Sequence, residues 1–189
     1  MFNTRKGKMM KKIFVLFALL LIAAASQAQE IKWMSMNEAL AAQEKNPKKI
    51  FVDAYTTWCG PCKMLDKNTF GNKDVVEYIN ENYYAVKFNA EGNETIQYRD
   101  KTFKNPSFDA NRTGRNSVHE FALAMGVSAY PTMVFFDEKG EFLSPIKGYM
   151  TPKQLEIFLK IFATDDYKTV KTEEEWKKYQ EEFKGTFSS

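Results

Sequence analysis

The sequence predicts an α/β fold in which a central mixed β-sheet is flanked by helices on both faces. Three observations carry it. Residues 49–55 (KIFVDAY) form an apolar run broken by a single acid, the pattern of a strand buried on both faces. Helical stretches at 36–45, 74–80 and 154–162 alternate with short apolar runs at 83–88 and 132–136. Asp137-Glu138-Lys139-Gly140 is a turn signature that joins 132–136 to 141–146 as a hairpin.

Taken in order, residues 31–33 can form a short edge strand. Residues 36–45 place Leu40 and Ala41 on one helical face, with Asn37 as the expected cap and Asn46-Pro47 as the break. After the strand at 49–55, residues 56–61 turn and 62–65 continue as a helix. Val75, Val76 and Ile79 share a face of the next helix, and 117–125 reads as another. Pro152 sits at a favourable first-turn position for the helix at 154–162. Two pieces lie outside this alternation: the polar, turn-rich stretch 91–116 and a tail helix at 172–184. No internal repeat is present.

The chain has 189 residues, enough for one domain with appendages. Lys11-Lys12 precede a thirteen-residue apolar run, 13–25, followed by Ser26-Gln27-Ala28. A basic start, a short apolar middle and small residues before the cut predict a secretory signal peptide at 1–28, cleaved after Ala28. Residues ahead of Met9 or Met10 read as an upstream start. A membrane span needs roughly 20 apolar residues, so the run is short for an anchor, and no cysteine follows it to take a lipid. The mature chain, 29–189, then comprises a core at 49–163, the insert 91–116 and a C-terminal helical extension at 165–189. The leader carries Arg5, Lys6, Lys8, Lys11 and Lys12; removing these five from 27 basic residues leaves 22 against 24 acidic. The pI of 8.7 therefore belongs to the leader, and nothing in the mature balance argues for nucleic acid or an anionic membrane surface as partner. Export predicts a periplasmic location.

Cys59 and Cys62 are the two cysteines of the sequence. A loop this short constrains little of the unfolded chain, so stability is a poor reason for the pair and chemistry a better one. The pair follows a buried strand and opens a helix. Unpaired N–H groups and the positive end of the helix dipole then face Cys59, lowering its pKa and raising its thiolate fraction. Cys62, one turn further in, is placed to resolve a mixed disulfide. Pro61 stiffens the first turn and lacks an N–H that would go unpaired. The alternative is half of a zinc site, but zinc needs four ligands, or three with water, and the chain offers one histidine, His119, and no second cysteine pair. His119 reads as packed or solvated within a helix.

Trp58-Cys59-Gly60-Pro61-Cys62-Lys63 resembles the active-site motif of the thioredoxin family, and further features match in order. Asp53 stands six residues before Cys59, where the family carries a buried acid. Val86-Lys87-Phe88-Asn89 is similar to the family's next strand with its lysine. The segment from Met125 to Thr132 resembles the one ending in the family's cis-proline loop, at Tyr130-Pro131, and Lys147-Gly148 resembles the glycine before the last helix. The resemblance covers about 49–163 and implies a thioredoxin fold working through a redox-active Cys59–Cys62 disulfide, with no other cofactor and no metal. It implies catalytic roles for Cys59, Cys62, Asp53 and Lys87, and substrate contacts at Trp58, Gly60, Pro61, Tyr130, Pro131 and Gly148. Asp53 in an apolar strand is expected to have a raised pKa, suiting proton exchange with Cys62, with Lys87 holding its charge in check. A buried structural ion pair is the alternative. Trp58 shields the sulfurs or simply packs. A cis bond at Pro131 would expose the Tyr130 backbone to an extended substrate strand.

The chain departs from the family in the insert, about two dozen residues longer than a plain thioredoxin would have there. It carries Tyr98, Phe103 and Phe108 among Arg99, Lys101, Lys104, Arg112 and Arg115. Two readings stand: it rims the cysteines and selects protein partners, or its aromatics tuck onto the core. Trp176, Tyr179 and Phe183 give the tail helix an apolar stripe for packing on the domain or for a dimer contact. The functional expectation is a monomeric periplasmic thiol-disulfide oxidoreductase that reduces protein disulfides and is recharged by a membrane electron donor. An oxidase or isomerase on the same fold, and a non-catalytic binding module, are the alternatives.

Overall fold

Strand β1 (Trp33–Met34) opens a five-stranded sheet in the computed structural model, which describes residues 30–189. The expected leader at 1–28 lies outside the described residues. Strand β2 (Lys49–Tyr55) is central: it pairs in parallel with β3 (Tyr83–Asn89) and antiparallel with β6 (Thr132–Phe136). β1 runs parallel beyond β3, and β7 (Phe142–Lys147) runs antiparallel beyond β6, so the order is β1-β3-β2-β6-β7. The sheet is mixed, as expected, because helices return the chain between the parallel strands and a hairpin returns it at the end.

Helices α1 (Met36–Lys45), α2 (Gly60–Asn68), α3 (Lys73–Asn82), α4 (Glu120–Ala124), α5 (Pro152–Ala163) and α6 (Glu173–Glu182) accompany it. Strand alternation sends Phe51 of β2 to one face and Ile50, Val52 and Ala54 to the other. On the Phe51 side a core forms with Leu65, Val75, Ile79, Phe135, Leu155 and Leu159. On the other, Met36, Val86, Phe88, Phe121 and Phe136 close a second core. Burying each such side chain contributes roughly 1.5–3 kcal/mol, and both cores depend on β2.

Local chemistry moves several boundaries. The first edge strand is Trp33–Met34, not 31–33: Ile31 is buried, and its carbonyl accepts Trp33 N–H at 2.9 Å in a turn. Helix α1 is capped by Ser35, not Asn37. Ser35 Oγ accepts Glu38 N–H (3.3 Å), and the Glu38 carboxylate accepts Ser35 N–H (2.7 Å), a reciprocal capping box. Asn37 instead mimics a strand toward the insert: its Nδ2 donates to Thr95 O (2.8 Å), and its Oδ1 accepts Gln97 N–H (2.9 Å). Helix α2 starts at Gly60, earlier than expected, because Cys59 itself is the cap. The helix expected over 117–125 is only Glu120–Ala124. His119 is its buried cap, with Phe121 N–H donating to Nδ1 (3.0 Å), which leaves Nε2–H to donate to Glu94 O (2.6 Å).

The insert is folded. Strands β4 (Ile96–Tyr98) and β5 (Lys101–Phe103) form a separate hairpin. Ile96 is buried, the rings of Tyr98 and Phe103 meet Phe121 at 5.5 and 5.2 Å, and Tyr98 OH donates to Gly140 O (2.6 Å). Its base is stapled by Asn105, whose Nδ2 donates to Gly92 O and Ser117 O, and by His119 N–H donating to Ala90 O.

The C-terminal extension is more than a helix. Trp176 packs on Phe158 at 5.6 Å and on Tyr179 at 6.0 Å, so the apolar stripe lies against α5. Beyond it the chain runs back along the domain and buries Phe187. The anchor is Glu156, a fully buried carboxylate on α5 that accepts Lys160 Nζ (2.6 Å), Thr186 N–H (2.6 Å), Thr186 Oγ1–H (2.9 Å) and Phe187 N–H (3.0 Å). Burial alone raises its pKa, but the Lys160 ammonium and the tail N–H groups hold it below the usual glutamate range. Glu156→Ala leaves two backbone donors and an ammonium without their acceptor. We expect it to cost about 2–4 kcal/mol in urea unfolding and to make the last residues protease-sensitive, with Glu156→Gln costing less. Unchanged stability and an uncleaved tail would show that the anchor is not needed.

Candidate active site

The end of β2 delivers the chain into a turn in which Cys59 N–H donates to Thr56 O (3.2 Å). Cys59 then takes an extended conformation (φ −72°, ψ 106°) as the cap of α2, with Pro61 in the first turn. Its Sγ accepts Cys62 N–H at 3.1 Å. This is the arrangement expected from the helix start: a backbone donor and the helix dipole both favour negative charge on Cys59. Cys59 and Cys62 are joined in a disulfide with an S–S distance of 2.04 Å. The two residues are equally buried, so the expectation that Cys62 lies further inside does not hold by exposure. Access separates them instead. Cys59 lines a cleft of about 700 Å³, and Cys62 is not among its lining residues.

Asp53 and Lys87 face each other in register on β2 and β3. Asp53 is fully buried, on the same face of β2 as Phe51. Its Oδ2 lies 2.6 Å from Lys87 Nζ, while Oδ1 is buried with no hydrogen-bond partner among the described residues. Burial pushes the Asp53 carboxyl up to about 6, against the pull of the Lys87 ammonium and with a push from Asp66. Lys87 also pairs with Asp66 on α2, and its ammonium lies within 5.0–5.4 Å of the rings of Tyr55, Trp33 and Phe70. Burial alone lowers the pKa of Lys87, but the two carboxylates raise it overall. A carboxyl group with an open oxygen and a pKa near neutrality can give and take a proton at working pH.

Tyr130-Pro131 is a cis peptide, as expected. Tyr130 lines the cleft with Trp58, Gly60 and Pro61, and the Trp58 and Tyr130 rings meet edge to face at 5.7 Å. Pro131 is buried, and neither it nor Gly148 lines the cleft. Gly148 N–H donates to Pro131 O (2.8 Å), and its φ of +98° suits glycine, so this position props the proline loop from behind.

The sequence reading missed part of the site. Glu91 accepts both Trp58 Nε1–H and Asn116 N–H at 2.8 Å, tying the indole to the insert. Arg115 lies over the Trp58 ring at 4.3 Å. Val118 and Leu123 add an apolar wall. Asp66 carried a faint signal, one helical turn beyond Cys62; Arg115 was legible only as one of several cations in an insert expected to rim the cysteines, and Glu91 carried no signal, since their meeting with Trp58 depends on how the insert folds back. The insert divides between its two readings: Tyr98 and Phe103 tuck onto the core, whereas 108–116 reach the cysteine side, where Phe108 and Thr57 border a second cleft of about 200 Å³.

A parallel-antiparallel sheet with a disulfide at a strand-to-helix turn, a buried carboxyl-ammonium pair on the strand that leads to it and on its neighbour, and a cis-proline loop whose Tyr130 shares the cleft of Cys59 defines a thiol-disulfide oxidoreductase. The family model for the thioredoxin-like domain matches residues 36–163, from the start of α1 to the end of α5. The chain belongs to this family. It is similar to a thiol:disulfide interchange protein DsbD of Pectobacterium atrosepticum, 28% identical over 130 residues, 68% of this chain and 18% of that protein. It also resembles a chloroplastic thioredoxin Y of Oryza sativa, 30% identical over 52% of this chain and 55% of the relative. The chain thus spans only about a fifth of the length of the DsbD relatives it matches. Among solved structures, a thioredoxin-fold protein from Helicobacter pylori superposes with a TM-score of 0.56 at 21% identity, covering 77% of this chain and 94% of the other, which shows the fold.

Because the folded pKa of Asp53, about 6, exceeds the ordinary aspartate value of 3.8, the native state holds its proton longer than the unfolded chain. Its contribution to stability therefore falls as pH rises from about 4 to 6 and stays unfavourable above. The deficit is about 2–3 kcal/mol at about 1.4 kcal/mol per unit. Asp53→Asn, which leaves Lys87 paired with Asp66, is expected to be more stable than the parent by that order at pH 7.5 and no more stable at pH 4. Denaturant melts at the two pH values check it; a pH-independent difference would contradict the assignment.

Proposed function

We propose that the protein is exported, loses its leader near Ala28, and reduces protein disulfides in the periplasm. The observation that carries the exchange reading is the asymmetry of the pair: Cys59 caps the helix and opens on the cleft, while Cys62 does not. In the reduced protein the Cys59 thiolate attacks a substrate disulfide, forming a mixed disulfide and releasing one substrate thiolate, which takes up a proton. Cys62, losing its proton to Asp53, attacks Cys59 Sγ. The second substrate thiol leaves, and the Cys59–Cys62 disulfide remains; two electrons have passed to the substrate. Lys87 holds Asp53 in place and balances its charge. Trp58, Gly60, Pro61 and Tyr130 form the surface that meets the substrate, and Pro131 and Gly148 shape it from behind.

The reductive direction is supported by the Cys-Gly-Pro-Cys sequence, which places no histidine between the cysteines to stabilise the thiolate strongly. Export is supported by the basic, apolar and small-residue pattern of 1–28. Among the described residues no helix is long and apolar enough to cross a membrane. A periplasm has no simple thiol buffer, so a reductase there needs a membrane protein as electron donor. The relatives' shared name, thiol:disulfide interchange protein, supports protein thiols and disulfides as the exchange partners.

Two measurements test the reading. The reduction potential is expected near the approximately −270 mV of thioredoxin; a value near −120 mV would make the protein an oxidant. Cys62→Ser, expressed in its native host, is expected to stall on Cys59 and retain a membrane donor and exported clients as mixed disulfides. An empty trap, with no insulin reduction by the reduced parent, would favour a binding module over an enzyme.

A further inference from the structure

The cleft beside Cys59 has a wall that exchange chemistry does not require. Val118 and Leu123 line it and are 38% and 62% exposed. Four large hydrophobic side chains are exposed among the described residues, and two of them are in this one cleft. An apolar wall beside a nucleophilic cysteine fits a polypeptide better than a small disulfide. Arg115 stands on the insert side of the same cleft. It is exposed, its guanidinium lies 4.3 Å over Trp58, and no carboxylate pairs with it among the described residues. The ring attracts the cation without taking up its N–H donors, which remain for a carboxylate. The one acid in the cleft, Glu91, is 7% exposed and already accepts Trp58 Nε1–H and Asn116 N–H. The positive charge is therefore presented and the negative one is engaged. Arg112, on the neighbouring smaller cleft, adds a second exposed cation from the same loop.

We propose that Arg115 is a specificity-determining residue, and that the cleft takes an extended protein segment that lays apolar side chains on Val118 and Leu123 and pairs a carboxylate near its reactive cysteine with Arg115. The inference rests on the exchange reading above and names the substrate class of that site. The segment containing Arg115 has no place in a plain thioredoxin, so an acid preference of this origin belongs to the insert. If Arg115 only steadied Trp58, the protein would accept acidic and basic segments alike.

The test compares two synthetic peptides that each carry one intramolecular disulfide and share an apolar sequence, with Glu in one and Lys in the other beside the cysteines. The reduced mature protein is assayed at low ionic strength, and the readout is the ratio of kcat/KM for the Glu peptide to that for the Lys peptide. Within each variant this ratio cancels any general change at Cys59. Attraction for one peptide and repulsion of the other predict a ratio of about ten in the parent. The ratio is expected to approach one in Arg115→Ala, fall below one in Arg115→Glu, stay high in Arg115→Lys, and shrink with salt. Leu123→Ser is expected to raise KM for both peptides and leave the ratio alone. A parent ratio near one, or a ratio unchanged by Arg115→Ala and Arg115→Glu, overturns the proposal. Failure of the parent to reduce hydroxyethyl disulfide, which has no charge for Arg115 to read, would instead overturn the exchange reading itself.

Discussion

Strand β2 is covered on both faces, and one of its seven side chains is a carboxylate. Every other feature of the site follows from keeping that strand dry while holding Asp53 in it. The apolar residues on either side of Asp53 recruit helices to both faces of the sheet. The unpaired Asp53 oxygen and the raised pKa are the cost of a buried acid, offset by Lys87 one strand over. The same strand ends in the turn whose last residue, Cys59, is the cap of α2. A thiolate there gains a backbone donor and the helix dipole, while the buried carboxyl of Asp53 sits a few residues upstream on the strand that leads to it.

Lys87 shows how little freedom this leaves. Its ammonium bridges a buried and an exposed carboxylate and is ringed by Trp33, Tyr55 and Phe70. Three elements of the sheet and its helices thus converge on one charge. A shorter or uncharged side chain would leave Asp53 buried without a counter-ion, a state that costs several kcal/mol or ends in permanent protonation.

The insert and the tail solve a different problem, that of attaching extra chain to a finished core. Both use buried polar side chains as staples: Asn105 and His119 at the base of the insert, Glu156 for the tail. Each such group satisfies backbone N–H or C=O groups that have no ladder partner, which an apolar contact cannot do. The insert divides its residues between the two sides of its staple, a hairpin packed on Phe121 and a loop brought over Trp58 by Glu91.

The sheet class, the central strand and the cysteine pair at its end were legible along the chain, and the family resemblance added Asp53 and Lys87. These signals are local: alternation and apolar runs report burial, and a Cys-x-x-Cys at a strand-to-helix junction brings its own electrostatics. The cap of α1 slipped by two residues because Ser35 and Asn37 are equally good cap residues until the partners of Asn37 in the insert are placed. Tertiary structure alone decided that Asn37 serves the insert, that His119 is a cap and a staple, and that Glu156 holds the tail. It also decided which wall of the cleft is apolar and where Arg115 stands. Those facts depend on contacts between residues tens of positions apart, whose pairing is set by how whole elements pack and leaves no periodic trace along the chain. The cysteines were legible because their chemistry travels with their spacing; the surface around Cys59 was not, because it is assembled from four separate stretches that only the fold brings together.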